Sequence, residues 1–155
     1  MKGEDASATD DEIVRTVTLK ASIDKVWSAI SDPQQFGTWF RCTVEGEFNP
    51  GTIVNCASTY EGHEEMVWQK LIKAVEPKRY FAFSWSPGDT GADQLEPDGE
   101  QTLVEFFLQE TNEGTVLKIR ESGFAALSEE LRNRSFELNS SGWDAQVENI
   151  TQHVQ

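Results

Sequence analysis

The sequence predicts an α+β fold in which one antiparallel sheet is flanked by helices at its start and at its end. Residues 22–40 encode two consecutive short helices directly after a strand. Residues 43–121 alternate between β-rich segments and turn residues, which is typical of an antiparallel sheet. From about residue 128 the pattern becomes helical again. We therefore expect the order strand, helix, helix, six antiparallel strands and a long C-terminal helix.

Length and composition predict a single globular domain. The chain has 155 residues, and we expect a flexible acidic leader at 1–11 and one domain at 12–155. Nine Phe and five Trp are too large an aromatic content for a disordered chain. A net charge of −14 opposes binding to nucleic acid or anionic lipid surfaces. No apolar run reaches the length of a membrane span and no signal peptide is present, so we expect a cytoplasmic protein that binds neither nucleic acid nor membranes.

Periodicity and caps define the two short helices. Ser22 can cap the first helix, and Asp32 followed by Pro33 provides the N-cap and first residue of the second. The apolar residues of the first helix fall at i, i+3, i+4 and i+7, which places them on one face. These residues are Ile23, Val26, Trp27 and Ile30, and the second helix carries Phe36, Trp39 and Phe40.

Seven segments have the alternation and composition of strands. They cover residues 12–20, 43–48, 52–59, 65–75, 80–85, 102–110 and 115–121. In the fourth strand the alternation predicts Met66, Trp68, Lys70 and Ile72 on one face, with Val67, Gln69, Leu71 and Val75 on the other. The segment 86–100 is rich in Pro, Gly and Asp, which predicts a long surface loop.

The C-terminal helix presents one apolar face, formed by Trp143, Val147, Ile150 and Val154 at steps of four, three and four. The run Ser140-Ser141-Gly142 interrupts good helix formers, which predicts either one bent helix or a short helix followed by a long one. A helix across the concave face of a curved sheet leaves an apolar space between them. Small ligands bind in spaces of this kind.

The element order resembles a known family when it is combined with particular residues. These are Val26-Trp27, Asp32-Pro33, Trp39, Pro77 before Tyr80-Phe81-Ala82-Phe83-Ser84-Trp85, and Gly142-Trp143. Over about residues 12–154 the chain resembles the activator of heat-shock protein 90 ATPase homologue family. That family lies within the START-like (SRPBCC) helix-grip superfamily, which includes Bet v allergens and polyketide cyclases. The resemblance implies a helix-grip fold, with the long C-terminal helix on the concave face of the sheet over a hydrophobic cavity.

The resemblance also implies two kinds of partner, a small apolar molecule and a chaperone of the heat-shock protein 90 type. In the eukaryotic activators, which act in the stress response, a separate N-terminal domain supplies the main stimulating contacts. A chain of 155 residues leaves no room for such a domain. We therefore expect small-molecule binding rather than direct chaperone activation.

Motifs for catalysis or metal binding are absent from the sequence. His63-Glu64-Glu65-Met66-Val67 lacks the second His of a zinc protease motif, and Cys42 and Cys56 lack the CxxC spacing, so we expect free thiols, no metal and no cofactor. Glu105 and Arg120 leave two alternatives. They face the cavity and perform acid–base chemistry, as in a cyclase-like enzyme, or they form an outward cross-strand ion pair.

Six apolar residues are candidates for the wall of a ligand cavity, because flat rings bury an apolar ligand and an indole N–H can orient it. For each of them the alternative is simple core filling. The leading hypothesis is a non-enzymatic module that holds a small hydrophobic or aromatic ligand between the sheet and the C-terminal helix. A co-chaperone-like interaction domain and a cyclase-like enzyme are the alternatives. The candidates are Trp39, Trp68, Trp85, Phe106, Trp143 and Val147.

Overall fold

A computed structural model describes residues 11–87 and 99–155. Seven antiparallel strands form one curved sheet with the order β1-β7-β6-β5-β4-β3-β2. The strands are β1 (Glu12–Leu19), β2 (Cys42–Glu45), β3 (Ile53–Ser58), β4 (Val67–Glu76), β5 (Tyr80–Trp85), β6 (Thr102–Thr111) and β7 (Gly114–Ser122). The helices are α1 (Ile23–Ser31), α2 (Pro33–Phe40) and α3 (Glu129–Val154), with a short 3₁₀ turn at Phe124–Ala126. The predicted helix-grip fold is confirmed.

The two short helices begin where the sequence predicts. The Ser22 hydroxyl accepts a hydrogen bond from the Lys25 backbone N–H at 3.2 Å, and the Asp32 carboxylate accepts one from Gln34 at 3.3 Å. Helix α2 ends at Phe40, and the left-handed backbone of its C-cap residue Arg41 (φ 71°) turns the chain directly into β2. The apolar faces of α1 and α2 therefore reach the core within a short stretch of chain.

The core lies between the inner face of the sheet and the helices. Helix α3 packs against β1, α1 and α2, and α2 packs against β2. Trp143, Ile150 and Val154 of α3 are buried, and Val147 packs partly buried against them, which confirms the predicted face. The Gln146 side chain donates to the Phe40 carbonyl at 3.1 Å and so ties α3 to the end of α2.

The structure corrects the sequence prediction in strands β4 and β2, and it decides between the two alternatives for the C-terminal helix. In β4 the alternation predicts that Val75 and Ile72 lie on different faces of the sheet. A register shift between Ile72 and Ala74 instead pairs Val75 with Phe81 and packs it against the core. Strand β2 ends at Glu45 instead of Phe48, because Gly46 (φ 118°) leaves the extended conformation. Helix α3 runs unbroken through 140–142, so the version with two separate helices is excluded.

Two of the predicted segments lie largely outside the described residues. Of the leader at 1–11 only Asp11 is described, and its carboxylate accepts a hydrogen bond from the Ala125 backbone N–H at 3.1 Å. Of the loop at 86–100, residues 88–98 are not described.

Gly37 of α2 is expected to tolerate no larger side chain. A Cβ atom there would lie 2.3 Å from the Cys42 carbonyl oxygen, a backbone atom that β2 holds in place. We expect Gly37→Ala to lower the free energy of unfolding by about 2 kcal/mol in urea titrations. The matched control is Gly142→Ala in α3, where the added Cβ meets nothing within 4 Å. That variant should gain up to about 1 kcal/mol. Equal stabilisation by both substitutions would contradict the close approach of α2 and β2.

Candidate ligand-binding site

A continuous layer of aromatic rings lies between the sheet and α3. Phe40, the last residue of α2, is at its centre, with ring centroids 6.5 Å from Trp68, 6.1 Å from Trp85 and 6.1 Å from Trp143. The rings of Trp85 and Trp143 are 6.1 Å apart, and Phe106 is also 6.1 Å from Trp143. Strands β4, β5 and β6 and two helices thus each contribute a ring to one surface.

The structure brings five of the six predicted residues into this layer, and Val147 follows Trp143 by about one helical turn on α3. Phe106 is fully buried, and Trp39 is nearly so, with its indole N–H donating to the Ala29 carbonyl at 2.9 Å. Trp68 and Trp85 are half-buried. Trp39 and Phe106 belong to the hydrophobic core. Contact of any of the six with a ligand stays a prediction.

Trp68 differs from the other tryptophans of the layer in its hydrogen bonding. Its indole nitrogen is shielded from solvent and has no acceptor among the described residues. Met66 precedes β4 and Val67 begins it, and both side chains are exposed. Trp68 is the first residue of β4 whose side chain faces the core. The indole N–H of Trp68 is therefore a hydrogen-bond donor without an acceptor at the edge of the core.

Glu121 of β7 is a completely buried carboxylate that binds the sheet to α3. Its oxygens accept hydrogen bonds from the indole N–H groups of Trp85 at 2.9 Å and Trp143 at 2.8 Å. They also accept from the Thr102 hydroxyl at 2.5 Å and from the Asn139 amide at 3.0 and 3.1 Å. Four neutral donors thus bind this carboxylate. Their hydrogen bonds to Glu121 fix the orientation of the Trp85 and Trp143 indoles.

Lys70 of β4 is the one Lys or Arg side chain that is buried among the described residues. It lies two residues beyond Trp68 on the same strand face, with 0% exposure, and its amine has no hydrogen-bond partner there. Nζ lies 3.7 Å from the ring centroid of Phe36 and 4.4 Å from that of Phe83. The rings of Phe40 and Phe48 follow at 5.3 and 5.6 Å. Burial lowers the pKa of the Lys70 ammonium below its ordinary value.

Cys42 and Cys56 are free, buried thiols close to Lys70, as the sequence predicts for their redox state. The hydrogen bond between them, together with the smaller effect of the Lys70 charge, lowers the pKa of the Cys56 thiol to about 7 against the opposing effect of burial. The same hydrogen bond and burial raise the pKa of the Cys42 thiol. These thiols are the titratable groups that act on Lys70.

Glu105 and Arg120 form the outward ion pair, the second of the two alternatives. They are paired across β6 and β7, next to the inward Phe106 and Ile119, and Arg120 lies 3.6 Å from the Glu105 carboxylate. Tyr80 donates to Glu105 at 2.5 Å, and burial together with this hydrogen bond raises the pKa of Tyr80 to about 12. The pair therefore takes no part in the aromatic layer.

A separate open cleft of about 930 Å³ lies along α2, β2 and the segment that follows β2. Its wall combines polar and apolar surface, and the polar side chains include Asp32, Thr38, Thr43 and Glu47. None of the six predicted residues lines it.

Sequence reasoning missed Glu121 and Lys70 as site residues, although a signal for each was present. In β7, Glu121 follows Leu117 and Ile119 at steps of two, which is the core-facing position. Lys70 lies between Trp68 and Ile72 in the same way. The described residues contain no group of three or more potential metal ligands, and no described helix has the length and hydropathy to cross a bilayer.

The fold and this interior define a helix-grip domain with an aromatic layer between sheet and helix. The model of the family described as "Activator of Hsp90 ATPase homolog 1-like protein" matches residues 20–155, so the chain belongs to that family.

Solved structures with the same fold span nearly the whole chain. Protein MLL2253 from Mesorhizobium loti is 21% identical, with a TM-score of 0.72 over 92% of this chain and 95% of that one. Protein Ms6760 from Mycobacterium smegmatis is 18% identical, with a TM-score of 0.72 over 93% and 90% of the two chains. CalU16 from Micromonospora echinospora is 23% identical, with a TM-score of 0.64 over 93% and 76%. No curated protein sequence matches the chain.

Proposed function

We propose that this protein is a non-enzymatic binding module for a small hydrophobic or aromatic molecule held between the sheet and α3. The observation that carries the proposal is the Trp68 indole N–H, a shielded donor without an acceptor at the edge of an aromatic layer. Buried polar groups are almost always hydrogen-bonded, so an unused donor indicates an acceptor that binding would supply. Phe40, Trp85 and Trp143 provide the apolar surface, and Glu121 holds the two indoles rigid.

The placement of the acidic residues supports binding over catalysis. A cyclase-like enzyme needs an acid or base that is free to exchange a proton with its substrate. The buried carboxylate of the layer, Glu121, already accepts hydrogen bonds on both oxygens from four donors. Glu105 and Arg120 lie on the opposite face of the sheet. Binding is therefore the use that these residues support best.

The test is a thermal-stabilisation screen of the chain against fatty acids, flavonoids and polycyclic aromatics, followed by titration of each stabilising compound. We expect Trp68→Leu to weaken the binding of such compounds by about tenfold, because it removes both the ring surface and the orienting donor. Trp27→Leu is the matched control, since Trp27 is a half-buried tryptophan on α1 outside the aromatic layer. Its affinity should stay within about twofold of the original chain.

Two results would contradict the proposal. One is a screen without any stabilising compound. The other is equal weakening by the two tryptophan substitutions, which would place binding outside the layer. Stimulation of the host heat-shock protein 90 ATPase by a chain that binds no compound would support the co-chaperone alternative instead.

A further inference from the structure

We propose that the ligand carries a carboxylate and that Lys70 is its counter-ion inside the fold. This inference rests on the proposed function and specifies the chemical class of the ligand. It starts from the pair of residues on the inner face of β4, where Trp68 and Lys70 are neighbours at i and i+2. Both present a donor that has no partner among the described residues.

No described residue on the inner face accepts a hydrogen bond from either donor. The described part of the chain holds a third buried side-chain atom without a hydrogen-bond partner, a Glu105 oxygen, which lies on the outer face and faces Arg120 at 3.6 Å. The Glu121 oxygens are already bound by four donors. A carboxylate has two oxygens and accepts from two donors at once, which matches an indole N–H beside an amine.

The surroundings of Lys70 can stabilise a cation only in part. Four phenylalanine rings within 5.6 Å interact favourably with an ammonium group, but a ring offers no strong acceptor. The titratable groups that face Lys70 are Cys56 of β3 and Cys42 of β2, while α2, β5 and the segment after β2 present phenylalanines. Neither thiol accepts a hydrogen bond from Lys70, so a bound carboxylate would provide the missing acceptor together with a negative charge.

Phe40 connects the aromatic layer with the amine. Its ring contacts those of Trp68, Trp85 and Trp143 and also lies 5.3 Å from Lys70 Nζ. A ligand whose apolar part rests on the tryptophans therefore places its acidic end toward Lys70 when the Phe40 ring turns aside. The surface charge of the chain, −14 overall, would select against acids that do not reach this buried amine.

Binding is expected to take up a proton. Burial favours the neutral amine in the free protein, whereas an ion pair with a carboxylate needs the ammonium form. The affinity for an acid should therefore increase as the pH falls from about 9 to about 7. The affinity for an uncharged analogue should not change in that interval.

The experiment compares two acids with their primary amides: 2-naphthoic acid with 2-naphthamide, and dodecanoic acid with dodecanamide. Calorimetric titrations in buffers of different ionisation enthalpy give the affinity and the number of protons taken up. We expect at least one acid to bind about tenfold more tightly than its amide, with uptake of close to one proton. Lys70→Met should abolish both the preference and the proton uptake while it leaves amide binding within about threefold.

Lys118→Met is the matched control, because Lys118 also lies over a phenylalanine ring, that of Phe107 at 5.5 Å, but is exposed on the outer face. It should leave the acid preference unchanged. Equal binding of acids and amides by the original chain, or a preference that survives Lys70→Met, would overturn the role of Lys70 and leave the proposed function standing. Failure of all four compounds to bind would count against the proposed function itself.

Discussion

Replacement of Glu121 by Ala is expected to lower the free energy of unfolding by about 4 kcal/mol, since each buried group that loses its partner costs about 1–3 kcal/mol. The substitution removes the common acceptor of Trp85, Trp143, Thr102 and Asn139. Two of these donors belong to α3 and two to the sheet, so the contact between the layers loses its polar anchor. Urea titrations monitored by tryptophan fluorescence give the free energy of unfolding.

The controls separate this network from a general effect of charge. Glu121→Gln keeps one acceptor oxygen but turns an amide donor toward other donors, so we expect a loss between zero and that of Glu121→Ala. Glu110→Ala removes an exposed carboxylate near the end of the neighbouring strand β6 and should change stability by at most about 0.5 kcal/mol. A loss below about 1 kcal/mol for Glu121→Ala would show that the carboxylate does not fasten α3.

Replacement of Lys70 by Met is expected to raise the free energy of unfolding by about 1–4 kcal/mol at neutral pH. A well-packed apolar side chain often stabilises the folded state more than a buried charged group does. The gain should depend on pH. The pKa of Lys70 is lowered in the folded protein, so the unfolded chain binds more protons between that pKa and the ordinary value of 10.5. Stability of the original chain therefore rises with pH in this interval, by about 1.4 kcal/mol per pH unit.

The gain from Lys70→Met must accordingly shrink as the pH rises toward 10.5. Denaturant titrations of both chains at several pH values provide the measurement. A Cys56→Ser background removes the titration of the facing thiol, whose pKa is about 7. A gain from Lys70→Met that is independent of pH would mean that Lys70 stays charged inside the fold.

The sequence predicts the elements of this fold well because their signals are local. Ser22 and Asp32 cap the helices as expected, and β5 has the predicted bounds, since caps and alternation depend on near neighbours. The error at Val75 arises where strand pairing determines the structure. The register shift after Ile72 that turns Val75 inward depends on the pairing of β4 with β5, which no local pattern records.

The candidate site is less predictable for the same reason. Periodicity places Trp68, Lys70 and Ile72 on one face, but it cannot show that Lys70 lies among four phenylalanines from α2, β5 and the segment after β2. It places Glu121 in line with Ile119, yet the four donors come from Trp85, Thr102 and α3, which are distant in sequence. Long-range packing decides whether a buried polar residue is satisfied or open to a ligand.

The indole N–H resonances of the five tryptophans provide the most direct test of ligand binding at the aromatic layer. In ¹H–¹⁵N spectra of the free protein, the signal of Trp68 should lie apart from those of Trp39, Trp85 and Trp143, whose indoles donate hydrogen bonds. Titration with a stabilising compound should shift the Trp68 resonance most and leave that of Trp39 in place. A compound that binds while the Trp68 resonance stays unchanged would contradict the proposed site.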